Sequence, residues 1–343
     1  MDSLYTYTLP ERCIAQTPAS PRDHSKLLIY DTASGAVSFD RYLNLDRYLP
    51  QDSLLVMNES KVLPCRVPVK GPKNEPLELL VMSNEWKPSN TVLLATVNKK
   101  LQPGERLALP QGHRLTVLES TEKIFRFKAS FNLARLPEVL ARIGQMPVPR
   151  YIKDCPLTEE ELRKKYQTVF AKKPGSVAAP TASLHFTPRL FKKLKKKGHE
   201  LAFVTLHVGL GTFAPVLPEH LESRTLYKEY YEIPENSRIQ IEKHKAAGKP
   251  IFAVGTTSTR TLEAWAETGA NKGPTELFIL PPYPFQVLDG LLTNFHIPGS
   301  SLMMLVEAFL QHKKAKHHLK DLYASALEKE FRFYSFGDGM LIL

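Results

Sequence analysis

The sequence predicts an α/β protein: a mostly parallel sheet with covering helices, plus a smaller inserted antiparallel β-barrel domain. Three observations carry this. After about residue 150, short apolar runs such as "ELAFVTL", "KPIFAVG" and "VLDGLLTNF" alternate with helical patterns, the rhythm of βαβ units. From about Arg66 to Ser130 the chain instead shows short strands broken by turn chemistry, as in "TVLLATVNKKLQPGERLALPQGHRLTVLE". Finally "DSLLVMNES", residues 52 to 60, reads as a buried strand of the first kind, although it precedes the second region. The β unit therefore interrupts one domain. The predicted organisation is an α/β domain formed by residues 1–60 and 150–343, with 61–149 inserted.

Each element has a local reason. "PGE" and "PQGH" are hairpin turns by composition. Thr187 caps a helix with Pro188 at its first position, Leu190, Phe191 and Leu194 form the buried stripe, and Gly198 ends it. "SRIQIEKHKAAG" is a helix leading into the strand "KPIFAVG", and "STRTLEAWAE" starts another helix capped by Ser258 or Thr259. "TELFIL" and "VLDGLLTNF" read as strands and "SSLMMLVEAFLQ" as a helix.

The chain has 343 residues, more than one ordinary domain needs, and 46 Lys+Arg against 35 Asp+Glu give a net charge of +11. That balance favours a polyanionic partner. The N-terminal residues have no apolar signal core, and the most apolar helix candidate, "SLMMLVEAFL", is about half a membrane span and carries Glu307. A soluble cytoplasmic protein with no membrane partner is expected. Cys13, Cys65 and Cys155 are isolated, with no CxxC pair, so reduced thiols and no metal site are expected. "HKKAKHH", with His312, His317 and His318, reads as a solvated helix surface, and the run Lys192 to Lys197 as a soluble helix face or a phosphate contact.

The polar residues concentrate at predicted strand ends, where open α/β sheets bind ligands. "GSVAAPTASLHFT" holds Thr181 and His185; "LHVGLGTF" holds His207, Gly209, Gly211 and Thr212; "GTTSTR" holds Thr256, Thr257, Ser258 and Arg260; "TNFHIPGSS" holds Asn294 and His296; "RFYSFGDG" holds Ser335 and Asp338. Glycines allow close backbone approach, and helix starts near Thr187, Ser258 and Ser300 offer N–H groups to an anion. Taken alone, each histidine reads more readily as a packed residue than as a catalyst. Without P-loop, HExxH or GxSxG motifs, the residues point to an enzyme or an RNA-binding protein with a crevice lined by histidine and threonine.

Read together and in order, these motifs resemble the signatures of the S-adenosylmethionine:tRNA ribosyltransferase-isomerase family, as do "IAQTPASPRDHSKLL", "LLVMNESKVLPCRV" and "YQTVFA". The resemblance covers nearly the whole chain and is weakest in the β insertion. It implies an α/β domain with an inserted barrel. It also implies transfer and isomerisation of the ribosyl part of S-adenosylmethionine onto 7-aminomethyl-7-deazaguanine at the wobble position of tRNA, giving epoxyqueuosine-tRNA, adenine and methionine. S-adenosylmethionine is then consumed as a co-substrate, no cofactor is implied, and the chain is expected to act as a monomer.

On the same ground His185, His207, Asn294 and His296 are expected to move protons or orient substrate. Thr181, Gly209, Gly211, Thr212, Thr256, Thr257, Ser258, Arg260, Ser335 and Asp338 are expected to bind it. The chain departs from the family at "RTLYKEYY", where Arg224 and Tyr227 replace two histidines, and at Ser183, Pro282 and Gly339; Lys61 and Lys165 stand where arginine is common. A non-catalytic RNA-binding protein on the same fold is the alternative reading, and methyl transfer a third.

Overall fold

A computed structural model describes residues 5–121, 124–209 and 216–343. In chain order its strands are β1 (Lys26–Asp31), β2 (Ala36–Arg41), β3 (Leu54–Asn58), β4 (Ser60–Val62), β5 (Arg66–Lys70), β6 (Pro76–Val81), β7 (Leu93–Val97), β8 (Arg106–Ala108), β9 (Arg114–Thr121), β10 (Ile124–Ala129), β11 (Lys173–Ser176), β12 (Glu200–His207), β13 (Thr225–Glu232), β14 (Ile251–Val254), β15 (Lys272–Leu277), β16 (Gly290–Asn294) and β17 (Gly339–Ile342). The helices are α1 (Leu136–Ile143), α2 (Glu159–Lys165), α3 (Pro188–Lys196), α4 (Pro218–Ser223), α5 (Glu235–Ala246), α6 (Thr256–Thr268), α7 (Ser301–His312) and α8 (Leu319–Glu328).

The main sheet has nine strands in the order β15-β13-β12-β3-β14-β16-β17-β1-β2. Its centre, β12, β3, β14 and β16, is parallel, as the apolar runs predict. β3 and β14 are buried at every position, which is why they read as unbroken hydrophobic segments. Outside this centre the sheet is mixed rather than parallel: β13, β15, β17 and β2 each add antiparallel pairing, and β1 runs parallel to β17. The flanks carry alternating or polar residues, as in "TLYKEYYE" and "KGPTEL", because these strands bury less of their surface. The chain leaves β3 for β12 on one side and returns to β14 and β16 on the other, which opens a crevice at the carboxyl ends of the strands.

The region from Arg66 to Ala129 closes into a six-stranded antiparallel barrel, β10-β7-β6-β5-β8-β9. "PQGH" lies between the paired strands β8 and β9, but "PGE" does not make a hairpin: it ends a crossover, since β7 pairs with β6 and β10 and not with β8. The barrel core of Val67, Leu79, Ala95, Leu107, Leu115, Val117 and Phe127 is extended by Leu136, Leu140 and Ile143 of α1. Where the chain goes into and out of this region the two passes are tied together, Arg66 N–H donating to Gln145 O at 3.2 Å and Gln145 N–H to Arg66 O at 2.7 Å.

Two helix details differ from the sequence reading. The N-cap of α6 is Gly255, with φ 88°, while the Ser258 and Thr259 hydroxyls donate to the carbonyls of Val254 and Gly255 within the helix. "HKKAKHH" is the connection between α7 and α8: its last residue, His318, pairs through Nδ1 with the buried Glu307 carboxylate at 2.7 Å. That contact raises the histidine's pKa and makes it a helix-start anchor.

The barrel junction gives a stability prediction. A Cβ on Gly144 would overlap the Pro64 carbonyl, and no rotamer change relieves a clash with backbone. Gly144→Ala should destabilise the protein by about 1–3 kcal/mol, read from urea unfolding; an unchanged midpoint would show that the two passes separate freely.

Candidate functional site: a cleft at the carboxyl ends of the strands

The segment 175–187 shows how the crevice is built. β11 pairs with β4, and the Ser176 hydroxyl donates to Ala178 O at 2.7 Å while accepting from Val208 N–H at 3.0 Å, so the chain turns tightly. Val177 joins the barrel core. Ala178, Ala179, Pro180, Thr181 and Ala182 then run along one wall of a cleft of about 750 Å³. Their small side chains leave room for a ligand against backbone. Other walls come from Gly255, Thr256 and Thr257 after β14, from residues 293–297 at the end of β16, from Ser300 and Leu302 at the start of α7, and from Tyr151, Tyr166, Tyr334 and Ser335.

Of the expected residues, Thr181, Thr256, Thr257, Asn294, His296 and Ser335 share this cleft. Asn294, 3% exposed, is held at both ends of its amide: its Oδ1 accepts from the Thr181 hydroxyl at 2.8 Å, and its Nδ2 donates to Asp338 O at 3.4 Å. His296 Nε2 meets the Thr293 hydroxyl at 2.7 Å, and its backbone N–H donates to the Tyr323 hydroxyl at 2.8 Å. The Tyr7 hydroxyl donates to the His296 carbonyl. Burial alone pushes the imidazole's pKa down to about 3, so the ring is neutral at physiological pH. Gly255 and Ser300 place the N-termini of α6 and α7 at the cleft, and their free N–H groups favour an anionic group. The Thr257 hydroxyl has no hydrogen-bond partner among the described residues.

The other expected residues lie elsewhere. His185, one turn beyond Thr181, is 4% exposed and stacks on Tyr42 with ring centroids 4.2 Å apart. Burial, with the Arg332 charge adding, pushes its pKa down to about 3. It packs behind the cleft. His207 packs on Gly175, where a Cβ would come within 3.0 Å of its ring, and burial lowers its pKa. Ser258 is fully buried in α6. Both Asp338 carboxylate oxygens are used within the fold, accepting from Lys26 N–H at 3.0 Å and Arg332 N–H at 2.8 Å, so its side chain closes a loop instead of facing a ligand.

Gly209 N–H donates to Glu229 at 2.9 Å. Arg260 forms a buried ion pair with the same Glu229 and donates to Leu277 O at 3.1 Å, which directs it into an adjoining smaller pocket of about 410 Å³ with Tyr227 and Leu226. Gly211 and Thr212 lie outside the described residues. The lysine run is remote: Lys197 and Gly198 precede the amino ends of β12 and β3, where Glu200 N–H bonds Ser53 O, whereas the cleft is at the carboxyl ends, on the order of 25 Å along β12.

Sequence reasoning missed Tyr151, Tyr166, Thr293 and Tyr334. Thr293 adjoins the motif residue Asn294, Tyr334 sits inside "RFYSFGDG" and Tyr166 opens "YQTVFA", so all three were within reach; Tyr151 lies in a segment with no chemical pattern. Among the described residues no group of three or more His, Cys, Asp or Glu is placed to hold a metal ion, and no helix is long and apolar enough to cross a membrane.

The two neutral histidines have a stability consequence. Each titrates at 6.5 when unperturbed and near 3 in the fold, so between these values the unfolded chain binds more protons. Their contribution is complete above pH 6.5 and is lost as pH falls toward 3, at up to about 1.4 kcal/mol per unit for each. In His185→Leu, the drop in unfolding free energy between pH 7 and pH 5 should shrink by about 2 kcal/mol. An unaltered drop would mean that the fold accepts the proton.

Comparison with known proteins gives the lineage. A family model described as "Queuosine biosynthesis protein" matches residues 2–342. Proteins named S-adenosylmethionine:tRNA ribosyltransferase-isomerase from Rubrobacter xylanophilus and Carboxydothermus hydrogenoformans are each 40% identical, over 98% and 99% of this chain and 96% and 98% of theirs. A crystal structure of S-adenosylmethionine tRNA ribosyltransferase from Thermotoga maritima is 29% identical with a TM-score of 0.56, covering 99% of this chain and 100% of that one. The chain belongs to the queuosine biosynthesis protein family.

Proposed function

We propose that the chain is an S-adenosylmethionine:tRNA ribosyltransferase-isomerase and that the cleft is its active site. On this reading the ribosyl unit of S-adenosylmethionine is transferred to the aminomethyl group of 7-aminomethyl-7-deazaguanine in tRNA and isomerised. Epoxyqueuosine-tRNA, adenine and methionine are released. The observation that carries the reading is the meeting of three motif segments, Thr181, Thr256–Thr257 and Asn294–His296, around one cavity in a chain whose full-length relatives bear that name.

The reaction requires a free amine, removal of a proton beside the sulfonium and protonation of departing adenine. His296 is the group placed to take a proton, its uncharged imidazole avoiding repulsion of the sulfonium, and Asn294 is placed to orient the substrate, its clamped amide presenting the remaining N–H in a fixed direction. Thr256 and Thr257 at the start of α6 receive a carboxylate or phosphate. S-adenosylmethionine serves as a consumed co-substrate with no resident cofactor, and the protein acts in the cytoplasm as a monomer built from 1–60 with 150–343 and the insertion 61–149. His185 and His207 serve by packing.

Incubation with S-adenosylmethionine and precursor tRNA should release adenine only when the aminomethyl base is present. Tight tRNA binding without turnover would support the RNA-binding alternative, and S-adenosylhomocysteine as product would support methyl transfer. His296→Gln should lower kcat by about 100-fold or more, with tRNA affinity retained.

The placement of charge makes a separate prediction. tRNA affinity should fall steeply with salt. Arg150→Ala, beside the cleft residue Tyr151, should weaken it by about fivefold, whereas replacing Lys195, Lys196 and Lys197 together should leave it within about twofold, because they face away. Filter binding at two salt concentrations reads both; the reverse order would move the tRNA to the other face.

A further inference from the structure

Tyr334 combines two features that no other described non-glycine residue shares. Its φ is 70°, in the left-handed region where a side chain costs about 1–2 kcal/mol and where a bulky residue is a genuine outlier. The other non-glycine residues with positive φ are Asp52, Asn74, Gln111, Arg224, Lys314 and Glu330, all polar and none in the cleft. Tyr334 is the aromatic exception, and it lines the cleft.

The surroundings hold it there. Tyr334 N–H donates to Phe295 O at 3.1 Å, and Gly337 N–H donates to Tyr334 O at 3.0 Å. The Tyr151 ring lies 4.8 Å from the Tyr334 ring at 57°, and the Tyr151 hydroxyl bonds Ser335 Oγ at 2.6 Å, which fixes that neighbour in turn. A glycine would meet the backbone requirement without strain; the tyrosine ring, 9% exposed, packs in the main core with its hydroxyl toward Tyr7 and turns its remaining surface to the cleft.

We propose that Tyr334, braced by Tyr151, is the platform on which the cleft stacks a planar heterocycle of purine type. Two parts of the proposed reaction have that chemistry: the adenine of the sulfonium nucleoside and the modified base of the tRNA. The proposal rests on the reaction assigned above and adds a residue that positions one of its substrates.

Three variants test it, each with KM for S-adenosylmethionine, KM for precursor tRNA and Tm measured. Tyr334→Gly removes ring and strain together; Tyr334→Leu keeps apolar volume without a π-face; Tyr334→Phe keeps the face. In the Gly and Leu variants one KM should rise roughly 5- to 100-fold while the Phe variant stays near wild type. A rise for S-adenosylmethionine identifies adenine, and a rise for tRNA identifies the base. If Tyr334→Gly does not fold, Tyr334→Leu decides.

Both KM values within twofold of wild type in a folded Gly or Leu variant would overturn the proposal, as would a Phe variant as impaired as Leu. Wild-type protein that releases no adenine, yet binds adenosine or precursor tRNA in a Tyr334-dependent way by calorimetry, would sink the proposed reaction and leave the platform standing. Binding of both that ignores Tyr334 would sink the platform.

Discussion

The antiparallel pairing of β16 with β17, which sets Asn294 opposite Gly339, is the constraint on which the cleft depends. β16 ends in the segment carrying Asn294 and His296, and β17 begins where the loop of Tyr334 and Ser335 ends, so one register brings both to the same edge. The Asp338 carboxylate then closes the loop onto Arg332 and Lys26, and its carbonyl steadies the Asn294 amide. At Gly339 a Cβ would overlap the Tyr42 hydroxyl, and Tyr42 is the ring on which His185 stacks. The tyrosine hydroxyl and the Thr293 carbonyl fill the space a side chain at this position would take. His185 thus stacks on the residue that β17 lies against.

This arrangement also shows what was legible. The parallel centre could be read because strands buried on both faces are unbroken apolar runs, and the barrel because its turns recur at short intervals. Of the flanking strands, β15 was legible in part, as "TELFIL", but β13 was not: it carries charges, and its membership is decided by what lies beside it. Among the site residues, position at a strand end was readable and side-chain direction was not. Thr181 and His185 sit four residues apart in one short 3₁₀ segment, yet one faces the cleft and the other the Tyr42 ring. Nothing in "RFYSFGDG" announces a left-handed tyrosine, because that conformation is imposed by bonds to Phe295 and Gly337, distant or following in sequence.

Charge behaves in the opposite way to chemistry in this molecule. The net +11 is a property of the whole surface, and its densest run stands at the amino ends of the strands, away from the cleft. The cleft itself is lined by hydroxyls, an amide, aromatic rings and a neutral imidazole. A polyanion is attracted over distances of about 10 Å or less at ordinary salt, so a broadly positive surface raises encounter without specifying the docking face. Specificity has to come from contacts in the cleft.

The neutrality of the cleft follows from the same burial that builds it. Protonating His296 would place a second positive charge beside the proposed sulfonium, in surroundings that screen poorly, and both effects oppose it. Orienting the ring through Thr293 and the backbone through Tyr323 fixes dipoles that serve a cationic ligand without any reorganisation when it arrives. Such preorganisation requires the polar groups to be held by one another before the ligand binds, and here Thr181 holds Asn294 and Thr293 holds His296. The β16–β17 register therefore sets both the shape of the cavity and its electrostatics, since every one of these pairs spans or adjoins the end of β16.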